Sequence, residues 1–274
     1  MSYNITVESG TSVRLPTAGK YCDRDIVVTA TGGVEDLVGL LSAQEQLVVE
    51  LKTTLAKKTE GGETEPDPRD QYQPVEYITS AAEGTYPYII TDIYADNSIG
   101  AEVVASFSAM ADRIPMGSRQ DSGSTRFYVA YPLSTSSCYY GFNIGSSISC
   151  STKVNTVYRL QTNFMNSRQA IVYEADGTRK AFGSFTQTMT KHTVPIAIFG
   201  YNSASSGAVT SKREYKLYSA RISQGFEVIR EYIPCYRKSD GVVGLYEKYT
   251  GAFLTAEDGG VFATGADVEW GDNG

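Results

Sequence analysis

From Val75 onward the chain shows no helical periodicity, and this constrains its fold more than any other feature. Short runs rich in β-branched and aromatic residues are cut by turn residues instead. The runs are Tyr86–Tyr94, Gly100–Ser106, Arg126–Tyr131, Cys138–Gly145, Thr156–Thr162, Gln169–Tyr173, Arg179–Phe182, Pro195–Phe199, Lys212–Ser223, Glu227–Ile233, Val242–Glu247 and Ala252–Leu254. Between them stand Asp96-Asn97, Asp121-Ser122-Gly123, Asp176-Gly177, Ser206-Gly207, Asp240-Gly241, Thr250-Gly251 and Asp258-Gly259-Gly260, whose side chains and glycines suit tight turns. About a dozen strands over roughly 200 residues predict a mainly β domain of two packed antiparallel sheets. That is more strands than an immunoglobulin sandwich holds, and it suits a jelly roll spanning 75–270. The 20 tyrosines and 26 glycines fit the same reading.

Upstream the texture changes twice. Residues 1–33 read as a small β module, with Ile5 and Val7, then Val13 and Leu15, alternating with polar neighbours, and Asp25–Ala30 as a third run. So small a unit buries little apolar surface alone and needs a partner. In 34–58, Val34, Leu37, Leu41, Gln44, Val48, Leu51 and Leu55 alternate at spacings of three and four, which is a heptad seam. Leu40 and Leu47 widen it, as a bundle of more than two helices requires, and Gln44 at a d position supplies a register-fixing polar layer. Glu35 and Asp36 at the start and Lys57 and Lys58 at the end complement the helix dipole. Residues 59–74 are polar, acidic and rich in Pro and Gly, and read as a flexible linker.

The net charge of −7 argues against a broad nucleic-acid-binding face. No apolar run nears the roughly 20 residues of a membrane-spanning helix, and the N-terminus lacks the basic and apolar pattern of a secretory leader, which predicts synthesis in a cytoplasm. Cys22, Cys138, Cys150 and Cys235 match no zinc or redox spacing; they read as buried thiols, with a Cys138–Cys150 bridge conceivable across a hairpin.

The stretch from Asn4-Ile5-Thr6-Val7 through Gly19-Lys20-Tyr21-Cys22-Asp23-Arg24-Asp25-Ile26-Val27-Val28 resembles a short module of phage and prophage structural proteins. Val75-Glu76-Tyr77-Ile78-Thr79-Ser80 and Tyr88-Ile89-Ile90-Thr91-Asp92-Ile93 resemble the opening of a concanavalin-like (laminin-G-like) jelly roll found in such proteins. The closing segments, Lys216–Ile222, Arg230-Glu231-Tyr232-Ile233-Pro234-Cys235, Gly241-Val242-Val243-Gly244-Leu245-Tyr246-Glu247 and Thr250–Leu254, match that family more tightly, whereas 100–210 match only in strand texture. Ile90 stands where the family carries a carboxylate, so a role for that group does not carry over. The resemblance implies a tail-fibre or baseplate-type receptor-binding component in the virion. Its N-terminal module would attach to other tail proteins, and its C-terminal head would meet a glycan or protein on the host surface. A purely structural virion protein (baseplate, head-fibre or decoration) and a glycan-cleaving enzyme are the alternatives.

The residues themselves favour a non-catalytic protein without cofactor or metal. His192, the only histidine, sits in a turn-like stretch and is expected in solvent rather than in a triad. Zinc would need more His or Cys ligands. Glu227 and Glu231 are the one candidate acid pair, expected on a solvated strand face. Asp121, Asp176 and Asp258 fit turn chemistry better than calcium ligation. A sugar site needs rings for C–H faces and fixed polar groups for hydroxyls. Tyr139, Tyr140, Tyr201, Asn202, Arg126 and Asp121 offer both in the irregular middle segment. The seam makes its own prediction: sedimentation of the full chain at micromolar concentration should give a homotrimer, and a stable monomer would contradict it.

Overall fold

The computed structural model describes residues 12–15, 26–29 and 67–270, apart from 81–85, 111–112, 121–124 and 212. Two units are separable, Met1–Glu65 and Pro66–Gly274. In the first, β1 (Ser12–Leu15) and β2 (Ile26–Thr29) pair antiparallel with Val13 opposite Val28. The Ile5–Val7 run, the seam residues Val34, Leu37, Leu41, Gln44, Val48, Leu51 and Leu55, and residues 59–66 lie outside the described residues.

The second unit begins with a short helix, α1 (Pro68–Gln71), whose N-cap Asp67 accepts the Arg69 N–H at 2.8 Å. Then comes β3 (Tyr72–Pro74). The expected linker, 59–74, therefore does not reach its predicted end. Tyr72 stacks on Phe253 with centroids 4.9 Å apart, and β3 pairs with Cys235–Arg237. One buried ring and a strand partner outweigh a polar composition.

The remaining strands are β4 (Ile78–Ser80), β5 (Ile89–Tyr94), β6 (Ile99–Ser106), β7 (Met116–Arg119), β8 (Arg126–Pro132) and β9 (Ser137–Ser149). There follow β10 (Val157–Thr162), β11 (Gln169–Glu174), β12 (Arg179–Ser184), β13 (Pro195–Ile198), β14 (Tyr201–Ser203) and β15 (Ala208–Thr210). The last are β16 (Lys216–Gln224), β17 (Glu227–Arg237), β18 (Val243–Glu247), β19 (Phe253–Leu254) and β20 (Phe262–Thr264). The unit is mainly β with antiparallel sheets. The larger sheet runs β12-β11-β10-β6-β16-β17-β18-β19, with β3, β4 and β20 joined to it; the smaller runs β15-β14-β7-β13-β5, and β8 pairs with β9. The β7–β14 pair is parallel, Tyr201 lying opposite Gly117.

Strand alternation builds one shared core. Ala101, Val103 and Ala105 on β6, Leu160 on β10, Leu217 and Ile222 on β16 and Tyr232 on β17 meet Ile89, Met116, Phe127, Ile196 and Ile198 from the other strands. On the opposite face of β6, Glu102 stands between Gln161 and Arg221 in register. It is also buried, because Gln161 and Arg221 donate to its two carboxylate oxygens and Arg159 lies 3.9 Å away. Those donors take the place of the water that burial removes.

β9 is not one straight strand. Thirteen extended residues would span about 40 Å, yet the Cys150 N–H donates to the Ser136 carbonyl at 3.1 Å, so the segment doubles back on itself. Asn143, with φ 64°, sits at its middle. Leu160 is fully buried on the inner face next to the sheet centre. Leu160→Ala should lower unfolding free energy by about 2–5 kcal/mol in urea denaturation, with the midpoint falling at an unchanged slope.

Candidate functional site

The chain enters the second unit beside the C-terminal end of β17, where Tyr72 lies opposite Arg237, and it leaves there too, since Val268 N–H bonds the Pro74 carbonyl at 3.0 Å. The other end of β17 is about 30 Å away. Turns and loops gather there: 95–98, 163–168, 185–194 and 225–226. They are tied together by bonds from Gly225 N–H to Ser98 O (2.8 Å), His192 N–H to Ala95 O (2.8 Å) and Phe185 N–H to Arg168 O (3.0 Å).

Loop 163–168 has an unusual backbone. Asn163, Met165, Asn166 and Arg168 all have φ between 51° and 54°, the left-handed region that a Cβ disfavours. Asparagine tolerates it; methionine and arginine do so at a cost of about 1–2 kcal/mol each. Surrounding bonds hold the loop there. Asn163 is fully buried, its Nδ2 donating to the Ile99 carbonyl at 3.0 Å and its Oδ1 accepting the Arg168 N–H at 3.2 Å. The Met165 N–H donates to the buried Ser223 Oγ at 2.9 Å. Arg168 Nη1 donates to Asn97 Oδ1 and to the Gln187 carbonyl, both at 3.0 Å. Gly100 completes the seat, because a Cβ there would overlap the Asn163 carbonyl. Against this rigid base, Phe226 is 75% exposed, and Tyr94 and Met165 show 40% and 37% of their surface. Backbone strain held by buried polar groups is characteristic of functional segments.

The residues expected to bind sugar are partly brought together. On the face of β8 and β9 turned from the main core, Arg126 Nη1 donates to the Tyr139 hydroxyl at 3.0 Å, and its guanidinium carbon lies 5.9 Å from the centre of the Tyr128 ring. Tyr128 packs on Tyr201 with centroids 4.9 Å apart, and Tyr131 on Tyr139 at 5.8 Å. Gly117 and Gly141 make room, since a side chain at either would strike the Tyr128 ring. Burial and the nearby Tyr201 push the Tyr128 phenol above its ordinary range. Burial also opposes ionisation of Tyr201, but polar contacts from Thr210 and Arg119 outweigh it and lower that phenol. Tyr128 and Tyr131 are buried, so the shelf shows solvent only the half-buried Arg126, Tyr139 and Tyr201.

Tyr140 belongs elsewhere. It alternates to the opposite face, is 5% exposed and packs on Phe185 in the core, which corrects its place among the binding residues. Asn202 is half-buried next to Tyr201 on β14, opposite Val209. Asp121 lies outside the described residues. Tyr128 and Tyr131 were legible in sequence only as members of one strand; their meeting with Tyr201 needed the β7–β14 crossover. The asparagines at 163 and 166 were the available signal for a left-handed loop.

His192 is not a solvated loop residue as expected. It is buried, with Nδ1 2.8 Å from Ser118 Oγ, because the segment before β13 runs beside β7, where the Thr193 N–H also bonds Gln120. Glu231 is engaged by Lys248 at 3.5 Å and Glu227 is exposed. Asp176 and Asp258 accept the N–H groups of Thr178 (2.8 Å) and Gly260 (3.2 Å), which is turn chemistry. Among the described residues no three His, Cys, Asp or Glu side chains gather as metal ligands.

The left-handed backbone at Met165 makes a sharp prediction. Glycine at 165 should be more stable than alanine by about 1 kcal/mol, reversing the usual order, and denaturant unfolding of M165G and M165A checks it. Equal stability would mean the loop relaxes. Compared with known proteins, the chain matches no family model and no curated sequence.

Proposed function

We propose that this chain is a non-catalytic receptor-binding component of a phage or prophage tail, with a concanavalin-like jelly-roll head carried on a three-stranded coiled coil. One observation carries the reading. Exposed Phe226 and Met165, on anchored loops, and Tyr94, at the end of β5, stand at the end of the head opposite the point where the chain enters it. A head hung from a stalk meets its target with that end. Loops already fixed in shape lose little entropy on contact, which favours binding. The exposed rings suit the C–H faces of a glycan or an apolar protein patch, and the Arg126–Tyr139–Tyr201 shelf, which starts near the same end, adds fixed donors. Three heads in parallel would turn weak single contacts into firm attachment.

The test uses the full chain, applied to intact bacterial cells and to purified envelope polysaccharide. Replacing Phe226 and Met165 together by serine should weaken adsorption about tenfold or more, since a single buried anchor is commonly worth that much. Val261→Ser, at a similarly exposed residue that lines a cleft with Asp240 and Val242 near the chain-entering end, should leave it unchanged. Equal effects of the two changes would remove the assignment of the contact end. Absence of any adsorption, with the protein copurifying with particles at fixed stoichiometry, would select the structural virion role.

A further inference from the structure

The fold-back of β9 sets two thiols side by side. With the Cys150 N–H on the Ser136 carbonyl, Cys150 stands one rung from Cys138 across the doubled strand. Both side chains turn to the same face: Cys138 is fully buried in the main core and Cys150 packs against that core from its edge. The Cys150 thiol lies 3.8 Å from the Ser134 carbonyl and 3.7 Å from Thr152 Oγ1. Diagonal neighbours on one face of an antiparallel pair stand about 7–8 Å apart, just beyond the Cα separation of a disulfide, so closing the bridge draws the returning arm of β9 toward its outgoing half. Both are thiols in this structure.

We propose that Cys138 and Cys150 are a reversible redox pair, closed to a disulfide by exchange with a small-molecule disulfide of the oxidised-glutathione class. The two cysteines differ in access, and this sets the order of events. The half-exposed Cys150 thiolate attacks the reagent, forming a mixed disulfide and releasing one thiol molecule, which takes up the proton Cys150 gave up. The buried Cys138 then attacks Cys150 Sγ; the Sγ–Sγ bond forms, the mixed disulfide breaks, and a second thiol molecule leaves with the Cys138 proton. Two electrons pass from the pair to the reagent, and nothing else is consumed. Burial pushes the Cys138 thiol up, so it is a poor first nucleophile and serves as the resolving partner.

The cross-link would fix the returning arm of β9 to its outgoing half. That arm carries Gly145, which sits directly against the Tyr139 hydroxyl, so closure would also fix one wall of the tyrosine shelf. The inference rests on the geometry of β9 alone and stands whether or not the head binds a host surface.

Trypsin releases both cysteines in one peptide, Phe127–Lys153, because Arg126 and Lys153 are the nearest cleavage sites. After incubation of the full folded protein with oxidised glutathione, that peptide should be lighter by two hydrogens, resist alkylation and regain both thiols on reduction. Cys138→Ala should trap a glutathione adduct on Cys150. In Cys150→Ser, Cys138 should stay unmodified in the folded protein. Retention of both thiols in the unaltered protein, a stable adduct on Cys150 despite Cys138, or faster modification of Cys138 than of Cys150 would each overturn the proposal. Circular dichroism of the two variants separates these outcomes from simple unfolding.

Discussion

The structure of the second unit depends on β6 having both of its faces satisfied at once. Its inner residues, Ala101, Val103 and Ala105, are small enough to let the facing sheet approach and apolar enough to gain from being covered. Its outer residue, Glu102, would be a costly buried charge were it not flanked in register by Gln161 and Arg221. A one-residue slip of either neighbour would present apolar groups to solvent and strand the carboxylate, so Glu102 fixes the register of the sheet centre as well as tolerating burial there. Once β6, β10 and β16 are fixed, their ends determine where the loops 95–98, 163–168 and 225–226 must meet.

That meeting gives the unit two unlike ends. At one, the chain comes in and goes out through short strands bound by rings, with Tyr72 on Phe253 and Tyr246 edge-on to Trp270. At the other, polar side chains are spent on holding backbone in a left-handed shape while apolar side chains face water. Left-handed residues other than glycine occur elsewhere, Asn143 and Phe199 among them, but loop 163–168 gathers four within six residues, and buried polar groups hold them there. If the proposed binding role holds, anchored loops and the half-buried shelf would act as preformed surfaces rather than by folding on contact.

The shelf illustrates how one strand serves two purposes. β8 sends Phe127 and Val129 into the core and Tyr128 outward; the irregularity between Tyr128 and Tyr131 then restores Tyr131 to the outer side. β9 does likewise with Cys138, Tyr140 and Phe142 inward and Tyr139 outward. Tyr139 and Tyr140 are adjacent in sequence and equal in composition, so only the phase of the strand separates a surface ring from a core ring.

Period-two runs and turn residues were enough to declare a β domain and to locate most of its long strands, since burial of alternate side chains writes itself directly into the sequence. Arg126, Tyr139 and Tyr201 were legible as a group with ring and donor chemistry. What the chain could not announce was anything fixed by partners distant in sequence. The short strands β3, β4, β7, β14, β15 and β20 exist because a neighbour offers hydrogen bonds. His192 is buried because β7 lies beside it, α1 and β3 form within the expected linker because Tyr72 finds Phe253, and the two halves of β9 meet because the strand folds back. Periodicity reports which residues want cover, and tertiary structure alone decides what covers them.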